Sequence, residues 1–139
     1  MTLLRHTTPV PPLPSPIADW AEIPPAIASD CLNRGQAMAG AIAPMALGLR
    51  AVGRAGMVRC KIGDNSPLHA ALSLVEAGDL LVVDAGGHPN TAVFGGLLAR
   101  VALARGVAGV VVDGAVRDRD ELAELNQRLG ARGCARGAA

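Results

Sequence analysis

Short aliphatic runs alternate with amphipathic, glycine-bounded stretches through the second half of the chain, and the alternation predicts strands and helices in turn. Residues 79–84 read Asp-Leu-Leu-Val-Val-Asp, an unbroken aliphatic run of the kind a strand covered on both faces requires. Residues 107–112 form a second such run. Between them Gly86, Gly87 and Pro89 mark a loop, and residues 93–105 predict a helix stopped by Gly106. Strand, helix and strand within about 35 residues make a βαβ unit, with parallel strands and a right-handed crossover. Upstream, Leu68, Ala71, Leu72 and Val75 recur at i, i+3, i+4 and i+7. With Ser66 as N-cap and Pro67 at the first helical position, they predict a helix ending at Gly78. Downstream, Leu122, Leu125 and Leu129 share one face of a helix predicted over 118–129, with Gly130 after it.

The first third carries weaker signals. Residues 23–32 predict a short helix, since Pro24 and Pro25 fit its first turn and Gly35 follows its end. Residues 36–62 mix glycines and Pro44 with short apolar segments and predict one or two strands. The better candidate is 55–62, where Met57-Val58-Arg59-Cys60-Lys61-Ile62 alternates. Pro9, Pro11, Pro12, Pro14 and Pro16 make the start an extended arm. The expected organisation is an arm over 1–22, an α/β domain over 23–130 and a disordered tail over 131–139, which has no apolar period.

Composition narrows the function. A chain of 139 residues suits one core without disulfide or metal staples. Half the residues are apolar, yet Trp20 and Phe94 are the only aromatics, which favours an aliphatic α/β core over a platform for stacking bases. The net charge is +1 and the basic residues are scattered apart from Arg128, Arg132 and Arg136, so nucleic acid is not expected as a partner. Cys31, Cys60 and Cys134 lack metal-site or CxxC spacing and read as reduced thiols of a cytoplasmic protein. No apolar run reaches the roughly 18 residues of a membrane span.

The chemistry concentrates between residues 95 and 121. In a parallel βαβ unit both strands end at one edge, so the loops after Asp84 and Val112 open into one crevice. A connecting helix that begins near Gly95 would turn the N–H groups of Gly95, Gly96, Leu97 and Leu98 toward it, as a cradle for a small carboxylate or phosphate. The glycine pair equally suits close packing of helix on sheet. Arg117 offers a planar fork for a carboxylate or an oxygen gaining negative charge. Asp118 is a hard oxygen ligand of the sort that Mg²⁺ or Mn²⁺ takes while keeping its waters. The run from Arg117 to Glu121 would also serve as a solvated helix start complementing the dipole. His69 and His88 are candidate acid-base groups, and Asp64 with Asn65 is placed to reach the same edge. Capping or surface roles fit all four as well.

At these residues the chain resembles the family that joins metal-dependent 4-hydroxy-4-methyl-2-oxoglutarate aldolases, also oxaloacetate decarboxylases, with the RraA regulators of ribonuclease E. The resemblance rests on Gly96, Arg117-Asp118 and Glu121. It extends back through Ser29-Asp30, Gly63-Asp64-Asn65, His69 and Val83-Asp84-Ala85-Gly86-Gly87, covering roughly residues 23 to 125. It implies an RraA-like layered α/β fold of the β/β/α swivelling type. It implies that the amides of Gly95, Gly96, Leu97 and Leu98 hold the carboxylate of a pyruvate-like moiety. Arg117 would hold the oxo or enolate oxygen, and Asp118 a divalent Mg²⁺ or Mn²⁺. The implied reaction is cleavage or decarboxylation of a small 2-oxo acid to pyruvate, in a homotrimer or hexamer. The regulator branch implies the alternative, a protein-binding regulator of ribonuclease E. Family chains continue beyond the Arg-Asp helix with further strands, so this one, ending in an Arg/Gly/Ala stretch at Ala139, is expected to be shortened at the C-terminus and to be either a minimal enzyme or an inactive homologue.

Overall fold

The computed structural model describes residues 16–125 and 129–134. After a 3-10 turn over Ile17–Glu22, the chain forms α1 (Pro25–Cys31), β1 (Ala43–Pro44), β2 (Ala55–Arg59), α2 (Ser66–Leu72) and β3 (Leu80–Asp84). It continues through β4 (Ala92–Phe94), α3 (Gly96–Ala104), β5 (Gly109–Val116), α4 (Arg119–Glu124) and β6 (Leu129–Cys134). The sheet runs β1-β6-β5-β3-β2, with β4 paired to β5 off that path. All pairings are parallel except β1 with β6. The expected α/β architecture and the β3-α3-β5 crossover are therefore present.

Why these segments become strands follows from the side chains they alternate. Leu81, Val83, Val110 and Val112 are each fully buried, and they join Leu68 and Leu72 of α2, Leu98, Ala99 and Ala102 of α3 and Leu122 of α4 in one cluster. Their sequence neighbours face the other way. Met57, Val82 and Val111 lie side by side in register. There Met57 is 79% exposed and the two valines are half-buried. The expectation that residues 79–84 are covered on both faces is thus corrected: the helices cover one face, and the other stays partly open.

Four further expectations change. The helix expected over 93–105 starts at Gly96, because Ala92–Phe94 pair with the end of β5 as a strand. Val93 and Phe94 fill the core there. The helix from Ser66 stops at Leu72, and its N-cap is Asn65. No cap bond comes from Ser66; instead Asp64 Oδ1 accepts the Ser66 N–H at 2.9 Å. The second aliphatic strand runs on to Val116 rather than ending at Val112. The last helix ends at Glu124, and Leu129–Cys134, expected as helix end and tail, form β6 between β5 and β1. Residues 1–15 of the expected arm and 135–139 of the expected tail lie outside the described residues.

At the C-terminal rim of the sheet, Asp84 ends β3. Its Oδ1 accepts the Gly86 N–H at 3.0 Å and its Oδ2 accepts from Arg59 Nε at 2.7 Å. The amide first and the guanidinium second hold the carboxyl below the usual range. A depressed folded-state pKa adds stability that is present above the unfolded value and is lost as pH falls through the folded one. Wild type should therefore exceed Asp84→Asn in melting temperature near neutral pH. The two curves should converge as pH drops below about 4, as thermal melts across pH 2–7 would measure. In the core, Leu81→Ala should cost about 2–5 kcal/mol by urea unfolding. Leu47 is 99% exposed, and Leu47→Ala should stay within about 0.5 kcal/mol.

Candidate functional site

The register of β4 against β5 builds the site. Ala92 pairs with Ala115 and Phe94 with Val116, and the Arg117 N–H donates to the Phe94 carbonyl at 3.0 Å. The residue that follows β4 is Gly95, so Arg117 is delivered beside the start of α3. The chain then turns through Asp118, which sits in the left-handed region at φ 59° and ψ 45°. Aspartate tolerates that region better than most residues, at a cost of about 1–2 kcal/mol.

Asp118 is the N-cap residue of α4, yet its side chain makes no cap bond there. Its Oδ2 instead accepts the Gly96 N–H at 3.0 Å, so it caps the neighbouring helix α3. Arg117 Nε lies 3.5 Å from the same oxygen. A β-carbon at Gly95 would sit 2.6 Å from Asp118 Oδ2 and 2.8 Å from Arg117 Cγ, and one at Gly96 would overlap the Glu121 carboxylate. The pair of glycines is what lets α4 and its preceding turn close on α3. Arg100, one helical turn beyond Gly96, donates from Nε to Glu121 Oε1 at 2.7 Å.

Of the four amides expected to form a cradle, that of Gly96 is engaged by Asp118. The helical ladder starts with the Ala99 N–H bonding to the Gly95 carbonyl. Helix geometry therefore leaves the Leu97 and Leu98 N–H groups without an intrahelical partner. They are the two best placed to receive an anion. Leu98 is buried and Leu97 exposed.

Among the described residues no group of three or more His, Cys, Asp and Glu is arranged to hold a metal. Both contacts of Asp118 run through Oδ2. A single carboxylate oxygen such as its Oδ1 could at most serve a hard cation that keeps most of its own waters, unlike a closed zinc site.

The remaining candidates are more distant in role. The Asp64 carboxyl is held below its ordinary value by the Ser66 hydroxyl and N–H, so it organises the start of α2. Gly63 in the same loop lies against Thr91, just before β4. Cys60 is buried, and burial followed by the charge of Asp64 pushes its thiol up, which makes it a core residue rather than a nucleophile. His69 is exposed on α2, and His88 contributes its carbonyl to the Ala115 N–H. Neither imidazole bonds another described side chain. Arg100 was missed in the sequence; its only trace there is the spacing of four from Gly96.

Because the atom displaced is the tip of a flexible side chain, Gly96→Ala should leave unfolding free energy within about 1 kcal/mol of wild type. The coupling between Arg100 and Glu121, about 0.2–1 kcal/mol for a partly exposed pair, should vanish in that background. A double-mutant cycle with Arg100→Met and Glu121→Gln measures it.

With this geometry in view, likeness to known proteins becomes informative. The family described as RraA-like, Aldolase/RraA, matches residues 25–138. A 4-hydroxy-4-methyl-2-oxoglutarate aldolase of Thermus thermophilus is 41% identical over 97 residues, covering 70% of this chain and 58% of its own length. A putative aldolase of the same name from Burkholderia mallei is 52% identical over 61 residues, 44% of this chain and 37% of that protein. The chain thus spans little more than half of the first relative. Among solved structures, the RNA-processing inhibitor RraA from Thermus has a TM-score of 0.70 at 35% identity, over 89% of this chain and 70% of that one. RraAS2 of Streptomyces coelicolor, described as an unusual member of the RNase ES inhibitor RraA family, has a TM-score of 0.79 at 27% identity, over 92% and 69%. Fold, matched residues and the packing of Arg117-Asp118 and Glu121 on Gly95-Gly96 agree, and the chain belongs to the RraA-like, Aldolase/RraA family.

Proposed function

We propose that the chain is a divalent-metal-dependent lyase that releases pyruvate from 4-hydroxy-4-methyl-2-oxoglutarate-type 2-oxo acids and decarboxylates oxaloacetate. The observation that carries this reading is the closure of Arg117 and Asp118 on the start of α3, which gathers a guanidinium, open amides and a carboxylate within one rim. Aldolase-named relatives support the reaction class.

In this reading the Leu97 and Leu98 amides bind the substrate's C1 carboxylate, with Gly95 and Gly96 giving it room to approach. Arg117 faces the 2-oxo oxygen. In the retro-aldol step the C3–C4 bond breaks, its electron pair forms the pyruvate enolate, the 4-hydroxyl gives up its proton to solvent as the second carbonyl forms, and C3 of the enolate takes up a proton from solvent, leaving two pyruvates. In the decarboxylation the same bond breaks with loss of CO₂, and a proton then returns to C3. Arg117 hydrogen-bonds the oxygen more strongly as it gains charge, which lowers the barrier. Asp118 would hold Mg²⁺ or Mn²⁺ mainly through bound waters, and that ion supplies Lewis-acid polarisation of the 2-oxo group. The active form is a cytoplasmic homotrimer or hexamer, a reading supported by the open face around Met57. No described helix is long and apolar enough to cross a membrane.

A second reading is a protein-binding regulator of ribonuclease E, favoured by the two structural relatives that are RraA-type inhibitors of RNA processing. Pyruvate release from oxaloacetate, followed by a coupled dehydrogenase assay, separates the two. The lyase reading expects EDTA to abolish release and Arg117→Ala to lower kcat about 10²–10³-fold, the usual loss for an oxyanion donor. Release that ignores both changes, with capture of ribonuclease E at micromolar concentration, would transfer the assignment to the regulator.

A further inference from the structure

Arg100 lies outside every motif discussed so far, yet it stands at the same rim. Its Nε is 2.7 Å from Glu121 Oε1, and that oxygen is 2.7 Å from where a Gly96 β-carbon would be. Two such steps put the guanidinium over the start of α3. The contact to Glu121 occupies one of five N–H donors, and the side chain is 63% exposed, so the fork remains open to a ligand. Glu121 restricts the swing of Arg100 and so reduces the ordering cost of using it.

The spacing matches a particular ligand. Residues 96 and 100 are four positions apart, about 6 Å along the axis. In a five-carbon 2-oxo diacid, four C–C bonds of about 1.5 Å separate the two carboxyl carbons, roughly 5 Å when extended. With one carboxylate on the Leu97 and Leu98 amides and the oxo oxygen on Arg117, the distal carboxylate reaches Arg100. We propose that Arg100 is a specificity-determining residue that selects dicarboxylic 2-oxo acids over monocarboxylic ones. This rests on the pyruvate seat proposed above.

Two stable probes test it, pyruvate as the monoacid and 2-oxoglutarate as the diacid. Each is titrated calorimetrically into the full chain with Mg²⁺ present. Wild type should bind 2-oxoglutarate about tenfold more tightly, the worth of one charge-assisted hydrogen bond. Arg100→Met should erase that preference while leaving pyruvate affinity unchanged and lowering the melting temperature by no more than the loss of one partly exposed ion pair allows, and Arg100→Lys should restore part of the preference. The same preference in Arg100→Met as in wild type would overturn the proposal. So would a loss of both ligands in step with a fallen melting temperature, since that is what a merely structural ion pair predicts. If wild type binds no pyruvate, the seat falls and Arg100's role with it. If the preference holds and oxaloacetate is not cleaved, the lyase reading alone fails.

Discussion

One hydrogen bond, from the Gly96 N–H to Asp118 Oδ2, ties together the two chain reversals from which the site is made. Asp118 pays for it with a left-handed backbone, and it forgoes capping its own helix. A carboxylate on the positive end of a helix offsets costs of this size: about 1.5–3 kcal/mol for a hydrogen bond to a charged group, reduced here because the side chain is 34% exposed. The bond joins the β4-α3 turn to the β5-α4 turn.

That bond depends in turn on a short strand. β3 pairs with residues 109–113 of β5 and ends at Asp84, while β5 continues to Val116. The chain leaves the sheet, and its return is registered by bonds from Ala85 and Gly87 to the Asp113 carbonyl and from Ala115 to the His88 carbonyl. β4 then takes up the vacated edge. Three residues of strand thus decide where a nine-residue helix begins and which side chains meet its amides. The missing β-carbons at Gly95 and Gly96 set how closely α4 can follow.

The parts legible in the sequence are those where local chemistry and tertiary demand agree. The aliphatic runs of β3 and β5, the helix start at Ser66-Pro67 and the Gly96, Arg117-Asp118, Glu121 spacing all belong to that class. β4 was illegible because Ala-Val-Phe before a helix has the same apolar content in either state, and only the edge of β5 that β3 leaves open beyond Asp113 makes it a strand. β6 was hidden for a related reason: Leu129–Cys134 carry arginine and glycine in place of an alternating pattern, so its pairing to β5 and β1 is specified by its partners. The engagement of the Gly96 amide by Asp118 left no sequence signal, since it needs a backbone conformation that the residue type permits and does not announce. Arg100 escaped because a single guanidinium on an exposed helix face is ordinary until Glu121 is known to lie beside it.

In the proposed lyase, the paired charges at this rim would give a divalent cation a role. Arg117 and Arg100 are matched by Asp118 and Glu121, so the cluster is neutral in sum, and each cation already has an acid within 3.5 Å or less. A mono- or dianion entering such a cluster gains local hydrogen bonds without a net attractive field, and surface ion pairs of this exposure add little. A divalent ion beside Asp118 would turn a neutral cluster into one with two positive charges at the point where the 2-oxo group must polarise. The same reasoning makes the acids useful: without Asp118 and Glu121 the two guanidinium groups would bind anions indiscriminately, and their placement would be lost. The glycines, the cross-helix cap and the paired charges therefore form one arrangement, in which each cation is positioned by an acid that a ligand need not displace.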